Sequence, residues 1–206
     1  DVYYITGTYM ETSKGVNTYF AQAVKITDGS VTDLKLDVDK NKNAGDITVT
    51  TKANGEFDPV GGLYVMDEDD NKYTGTAYKG QDRYSVVEGT LTQDVTRTST
   101  ALRFEANTLA STGVDKDTGK AITEKCTRLY LDSTTFFIAV EDKAADLDVK
   151  TATGIKTIDK DTVCLKVYAI YKDGEDDAAF VVYAAKKLNN AVNKDDVVYL
   201  TDDAST

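Results

Sequence analysis

Apolar and polar positions alternate with a period of two along most of the chain. That period predicts strands, because successive strand side chains point to opposite faces. Residues 2–9 (VYYITGTY) read as a strand with Gly7 as a weak point or bulge. Residues 19–26 (YFAQAVKI) form the next, with Phe20, Val24 and Ile26 on one face. Asp28-Gly29 separates them from residues 31–36, and Asp-Gly between two alternating runs is a hairpin signal. Residues 37–46 are polar and read as a loop, followed by a short strand at 47–51. Asn54-Gly55 and Gly61-Gly62 mark turns around Pro59. Residues 63–66 and 72–78 flank an acidic turn at 67–71, and residues 84–92 and 101–105 also read as strands. The stretch 107–120, rich in Thr, Ser, Gly and Asp, reads as a loop.

The C-terminal half carries the strongest strands. Residues 126–131 and 136–140 are expected to form a hairpin across Asp132-Ser133, and residues 162–171 and 178–185 a second one across 172–177. In the second, Val163, Leu165 and Val167 lie on one face and Tyr168 and Ile170 on the other, so this strand is expected at the centre of a sheet. Residues 141–148 could hold one helical turn, and no stretch keeps a helical period beyond it. The prediction is an all-β fold: an antiparallel sandwich or barrel-like module of roughly ten to twelve short strands, with little helix.

One internal match bears on domain organisation. Asp1-Val2-Tyr3-Tyr4-Ile5-Thr6 is similar to Asp196-Val197-Val198-Tyr199-Leu200-Thr201, identical at the Asp, the first Val, the second Tyr and the Thr. A tandem array produces such a match. Residues 1–194 are then one β module, with 107–120 as the place where it would divide into two lobes. Residues 186–193 read as a linker, and 195–206 as linker and start of a following repeat.

Composition narrows the function classes. Lys+Arg number 24 and Asp+Glu 35, for a net charge of −11. Nucleic acids and anionic membranes attract a positive footprint, so neither is expected as a partner. No run approaches the length of a membrane span, and the first residues have neither the basic nor the apolar region of a signal peptide. Any localisation signal is therefore expected outside this stretch. Histidine is absent, which removes Ser-His-Asp and Cys-His catalysis and His-ligated metals. Tryptophan, the strongest platform for stacking on cations, is absent too. Frequent Thr and Tyr with a single Pro suit half-exposed pleated surfaces and the acidic composition of an extracellular module.

Several strand-and-turn patterns resemble a known family. They are Val2-Tyr3-Tyr4-Ile5-Thr6-Gly7-Thr8-Tyr9, Thr18-Tyr19-Phe20-Ala21-Gln22-Ala23-Val24, Asp28-Gly29-Ser30-Val31-Thr32-Asp33, Thr134-Thr135-Phe136-Phe137-Ile138-Ala139-Val140, Thr153-Gly154-Ile155-Lys156 and Val167-Tyr168-Ala169-Ile170-Tyr171. The chain resembles the β-rich tandem modules of surface-layer-homology-domain proteins of Gram-positive bacteria, at both ends more than over 40–120. The resemblance implies an extracellular stalk or display module on the cell surface or wall, anchored by helical units elsewhere in its parent protein. It supplies no catalytic residues.

The remaining candidates for chemistry are acids, thiols and phenols. Asp67, Asp69 and Asp70 could gather round a hard cation such as calcium, against the simpler reading of a solvated hairpin tip. Residues 37–43 begin like an EF-hand loop, but Lys42 stands where Gly is needed and Thr48 where the bidentate Glu belongs. Residues 115–119 fail similarly, with Cys126 in the Glu position. Glu88 and Glu105 lie within strand-like runs as outward polar positions rather than a glycosidase pair. Cys126 and Cys164 match no metal spacing, which leaves buried apolar thiols or a disulfide. Tyr3, Tyr9, Tyr19, Tyr73, Tyr78 and Tyr84 are candidate sugar-stacking rings, though cross-strand packing is the usual role. The sequence therefore predicts no enzyme, no catalytic residues, no cofactor and no metal beyond the three weak calcium candidates. The expected function is a structural or display module whose partners are neighbouring modules of its own chain. The alternative is an adhesin-type module that binds cell-wall glycan or a host surface.

Overall fold

The computed structural model describes residues 1–81, 83–114, 117–118, 120–141, 147–186 and 188. Among them the regular elements are fourteen strands and one 3₁₀ turn at Lys160–Thr162, so the all-β expectation holds. The repeat match at 196–201 and the segment 195–206 lie outside the described residues, as do most of the linker at 186–193, the helical turn at 141–148 and the calcium-like stretch at 115–119.

The N-terminal strands form a five-stranded antiparallel sheet: β1 (Val2–Ser13), β2 (Val16–Lys25), β3 (Val31–Lys35), β4 (Asp58–Asp69) and β5 (Lys72–Ala77), in the order β3-β2-β1-β4-β5. Three consecutive strands followed by one that returns beside the first is a Greek key. Two of its turns are two-residue turns with positive φ at both central positions, Lys14-Gly15 (51° and 77°) and Asp70-Asn71 (53° and 56°). That geometry matches the strand twist, and Gly, Asn and Asp tolerate it best. The Asp28-Gly29 turn is longer, with Gly29 at positive φ and the Asp28 carboxylate accepting from the Ser30 N–H at 2.8 Å.

Gly7 is the bulge that the sequence suggests: both ladders of β1 shift register between Ile5 and Gly7. A Cβ there would stand 2.3 Å from the Phe57 ring and 2.6 Å from the Asp58 carbonyl oxygen. Gly7→Val is therefore expected to lower unfolding free energy by about 1–3 kcal/mol through overpacking, measured by urea denaturation. An unchanged midpoint would show that Phe57 and the β4 entry can move aside.

The bulge lets the sheet curl until its edges meet. Leu36 bridges Tyr73 in parallel, and the Asp37 N–H donates to the Tyr73 carbonyl at 2.9 Å. Tyr3, Ile5, Ala21, Ala23, Leu34, Leu36 and Met66 fill the inside together with Ile47. The polar loop after β3 plugs this partly closed barrel. Asn41, buried, donates to the carbonyls of Asp37 and Tyr73 and accepts from the Gly75 N–H. Ile47 donates its N–H to the Gly75 carbonyl at 2.7 Å. The strand expected at 47–51 is thus not a strand but a segment pinned to β5 by single bonds, because its apolar residue turns into the barrel.

The C-terminal part forms a seven-stranded sheet of β6 (Tyr84–Gly89), β8 (Leu109–Val114), β9 (Ala121–Lys125), β11 (Phe136–Glu141), β12 (Val149–Thr153), β13 (Val163–Lys172) and β14 (Ala178–Ala185). Its order is β12-β11-β14-β13-β6-β8-β9. A two-stranded ribbon of β7 (Ala101–Arg103) and β10 (Arg128–Tyr130) lies beside it. The β13–β14 hairpin forms as expected, and β13 is central, between β14 and β6.

Two expectations are corrected. The stretch 107–120 contains β8 and enters β9's hairpin instead of being a loop. Its signal was weak because, among the described side chains of β8, the core receives the small Ala110 while Leu109 stays exposed. Residues 126–131 do not pair with 136–140 either. β10 joins β7, and β11 runs between β12 and β14, parallel to β14. β11 is apolar on both faces, with Phe137 and Ala139 on one and Ile138 and Val140 on the other, and a central position buries both. Short β10 buries only Leu129 and needs one covered face.

Two apolar layers hold these parts together. On one face of the large sheet, Phe137, Val167, Val181 and Tyr183 pack against Leu102, Phe104, Leu129 and Ile158 from the ribbon and connections. On the other face, Ile138, Tyr168, Ile170 and Val182 pack against Tyr4, Val24, Ile26 and Leu63 of the barrel. The barrel therefore sits on the sheet through one shared core.

Candidate functional site

The acidic turn does not converge. Asp67 and Asp69 belong to strand β4, and only Asp70 stands in the turn. Lys40 forms an ion pair with Asp69, whose carboxyl it holds below its ordinary pKa chiefly by that hydrogen bond. The EF-like oxygens are equally occupied. The Asp37 carboxylate accepts from the N–H groups of Asp39 and Lys40, Asp39 pairs with Lys42 at 3.1 Å, and the Asn41 amide is spent on backbone. No group of three His, Cys, Asp or Glu comes together in metal-binding geometry among the described residues.

Glu88 and Glu105, by contrast, line one cleft of about 460 Å³. Glu88 and Val86 come from β6, Leu109 and Ser111 from β8, and Lys166 from β13. Tyr78 and Lys79, on the connection from barrel to sheet, form its other wall. Glu88 is ion-paired with Lys166. One polar atom here is out of place: Ser111 Oγ is buried and has no hydrogen-bond partner. Sequence reasoning placed both glutamates on strand-like runs but had no means of bringing them together, since Glu105 is held beside the end of β6 by its N–H bond to the Thr90 carbonyl and by the Leu91–Phe104 bridge.

A second depression of about 400 Å³ lies beside the ribbon and holds Cys126, Arg128, Glu124 and Tyr171. The Tyr171 hydroxyl donates to Glu124 at 3.1 Å. Cys126 Sγ faces the Arg128 carbonyl at 3.4 Å, and burial pushes its thiol pKa up, so the unreactive protonated form is favoured. Both cysteines are half-buried thiols, and Cys164 packs against the core between barrel and sheet. No disulfide joins them.

The phenols serve packing first. Of the six candidate rings, Tyr3 and Tyr78 are buried and the other four half-buried. Tyr9 stacks on Phe20 across β1 and β2, with centroids 5.3 Å apart and planes 20° apart. Burial pushes the Tyr9 phenol up to about 12, with the Asp33 and Glu11 carboxylates adding to the shift. This pair was legible in part: Phe20 was read on one face with Val24 and Ile26, but only the register places Tyr9 opposite it.

No family model matches the chain, and neither does any curated protein or solved structure.

Proposed function

We propose that the chain is a non-catalytic β module of a secreted, cell-wall-associated surface protein, where it spaces and presents neighbouring modules. One observation carries this reading. The first strand, β1, and the last described strand, β14, are each hydrogen-bonded along both sides, β1 by β2 and β4, β14 by β11 and β13. Tension entering along β1 or leaving along β14 must shear two ladders at once, whereas an edge strand would peel off bond by bond. A spacer on a cell surface needs that arrangement. The likeness of the strand-and-turn patterns to surface-layer-homology-domain proteins supports the same setting, as does the acidic charge, which favours solubility.

Single-molecule pulling tests it. Force applied through Asp1 and Lys186 is expected to unfold the chain at a higher force than the same measurement through Val31→Cys and Lys186, which peels β3 from the sheet edge. Equal or reversed forces would overturn the mechanical role. Antibodies raised against the folded chain should in addition label intact producing cells, and labelling only after permeabilisation would overturn the surface location.

A further inference from the structure

We propose that the cleft formed by Tyr78 and Lys79 with strands β6, β8 and β9 of the large sheet binds a neutral saccharide. The proposal goes beyond the spacer reading and stands whether or not the module carries tension. The cleft volume of about 460 Å³ falls within the range of small-molecule sites, roughly 300–1,000 Å³. Its floor is apolar: Val86, Tyr78, and Leu109, which is 54% exposed although it is a strand residue. Around that floor stand groups that both donate and accept. The carboxylates of Glu88 and Glu105 accept, Lys79 and Lys166 donate, and the Asn107 amide does both. Two acids and two lysines cancel, so this lining selects neither anion nor cation in a chain that is otherwise strongly acidic. A pyranose has the matching character: an apolar C–H face edged by hydroxyls that donate and accept.

Ser111 adds an independent sign. A buried hydroxyl without a partner is destabilising, and native folds rarely keep one. Ser111 lines the cleft, on the same face of β8 and β9 as Leu109 and Thr123, and a ligand hydroxyl there would supply the missing partner.

The test is a titration of the whole chain, followed by backbone amide resonances. Cellobiose and N,N′-diacetylchitobiose serve as neutral probes and digalacturonate as the anionic one. Saturable shifts are expected at Asn107, Leu109, Ser111 and Thr123 with at least one neutral disaccharide and not with the anion. Glu105→Gln and Asn107→Ala, both exposed and free of core packing, are expected to weaken that binding about tenfold. Ser111→Ala separates binding from structure: thermal stability should hold or rise, because an unpaired hydroxyl is removed, while affinity falls. Four results would overturn the proposal: no saturable shift with either neutral probe, shifts centred on Tyr9 and Phe20, equal binding of digalacturonate, or full affinity in all three variants.

Discussion

Tyr168→Ala is expected to lower unfolding free energy by about 3–5 kcal/mol, the range for deleting a large buried ring. That is a large part of the roughly 5–15 kcal/mol that holds a typical domain together. Tyr168 stands on β13 at the centre of the core shared by barrel and sheet. Its ring meets Tyr4 of β1 edge to face, with centroids 6.0 Å apart and planes at 63°. Its hydroxyl donates to the Gly61 carbonyl on β4 at 3.0 Å. The truncation opens a cavity between the two halves and leaves a barrel carbonyl without its donor. Tyr168→Phe keeps the ring and loses only the bond, so about 1 kcal/mol is expected. Urea denaturation measures both. Hydrogen exchange on Tyr168→Ala should show barrel amides losing protection before those of β11 and β14. A loss under about 1 kcal/mol for the alanine variant would mean that the barrel does not depend on this contact for its seat.

The second large effect is alkaline unfolding. Burial pushes the Tyr171 phenol up to about 12, helped by Glu124, and Tyr9 reaches about 12 as well. Burial raises Tyr168 and Tyr183 further. The folded phenols thus stay protonated where unfolded tyrosine, with a pKa of about 10, has ionised. Above that pH the unfolded chain binds fewer protons than the folded one, and stability falls as pH rises. The stabilisation is complete below about pH 10 and is lost upward through the folded values. For a buried phenol such as Tyr183 the slope approaches about 1.4 kcal/mol per pH unit. With no histidine in the chain, imidazole titration contributes nothing near neutrality. Unfolding free energy measured in urea from about pH 8 upward should therefore be level until about pH 10 and then drop steeply. Phenolate absorbance should rise in step with the loss of structure. Tyr183→Phe should flatten the drop relative to its own neutral value. Free ionisation of all phenols near pH 10 without unfolding would contradict the burial described for them.

Much of the fold was legible because its signals are local. Alternation marks β1, β2, β13 and β14, the Asp28-Gly29 hairpin is present, and two apolar faces correctly place β13 at a sheet centre. Reading failed where the signal is shared between distant segments. Among its described side chains β8 has one small core residue, and it looks like loop until β6 pairs with it. β11 was expected beside 126–131, yet one of its partners is β14, which lies beyond β12 and β13 in the chain. The polar loop after β3 is a barrel plug only because Asn41 and Ile47 find Tyr73 and Gly75. The site behaved the same way. Strand alternation puts Asp67 and Asp69 on one face of β4 and the two-residue turn sets Asp70 apart, all of which is local, whereas the meeting of Glu88 and Glu105 in one cleft is not.

Residue order by itself therefore determined the class of the molecule: strands rather than helices, where most of them run, an acidic surface, and the absence of imidazole chemistry. Those properties depend on neighbours a few positions apart and on side-chain inventory, which any reading of the chain contains. Tertiary structure alone decided that the first sheet curls into a plugged barrel, that the barrel rests on the second sheet through Tyr4 and Tyr168, and that Glu88 and Glu105 line one cleft. Burial of apolar faces selects among many strand pairings of similar local quality, and that choice is made by the whole core at once.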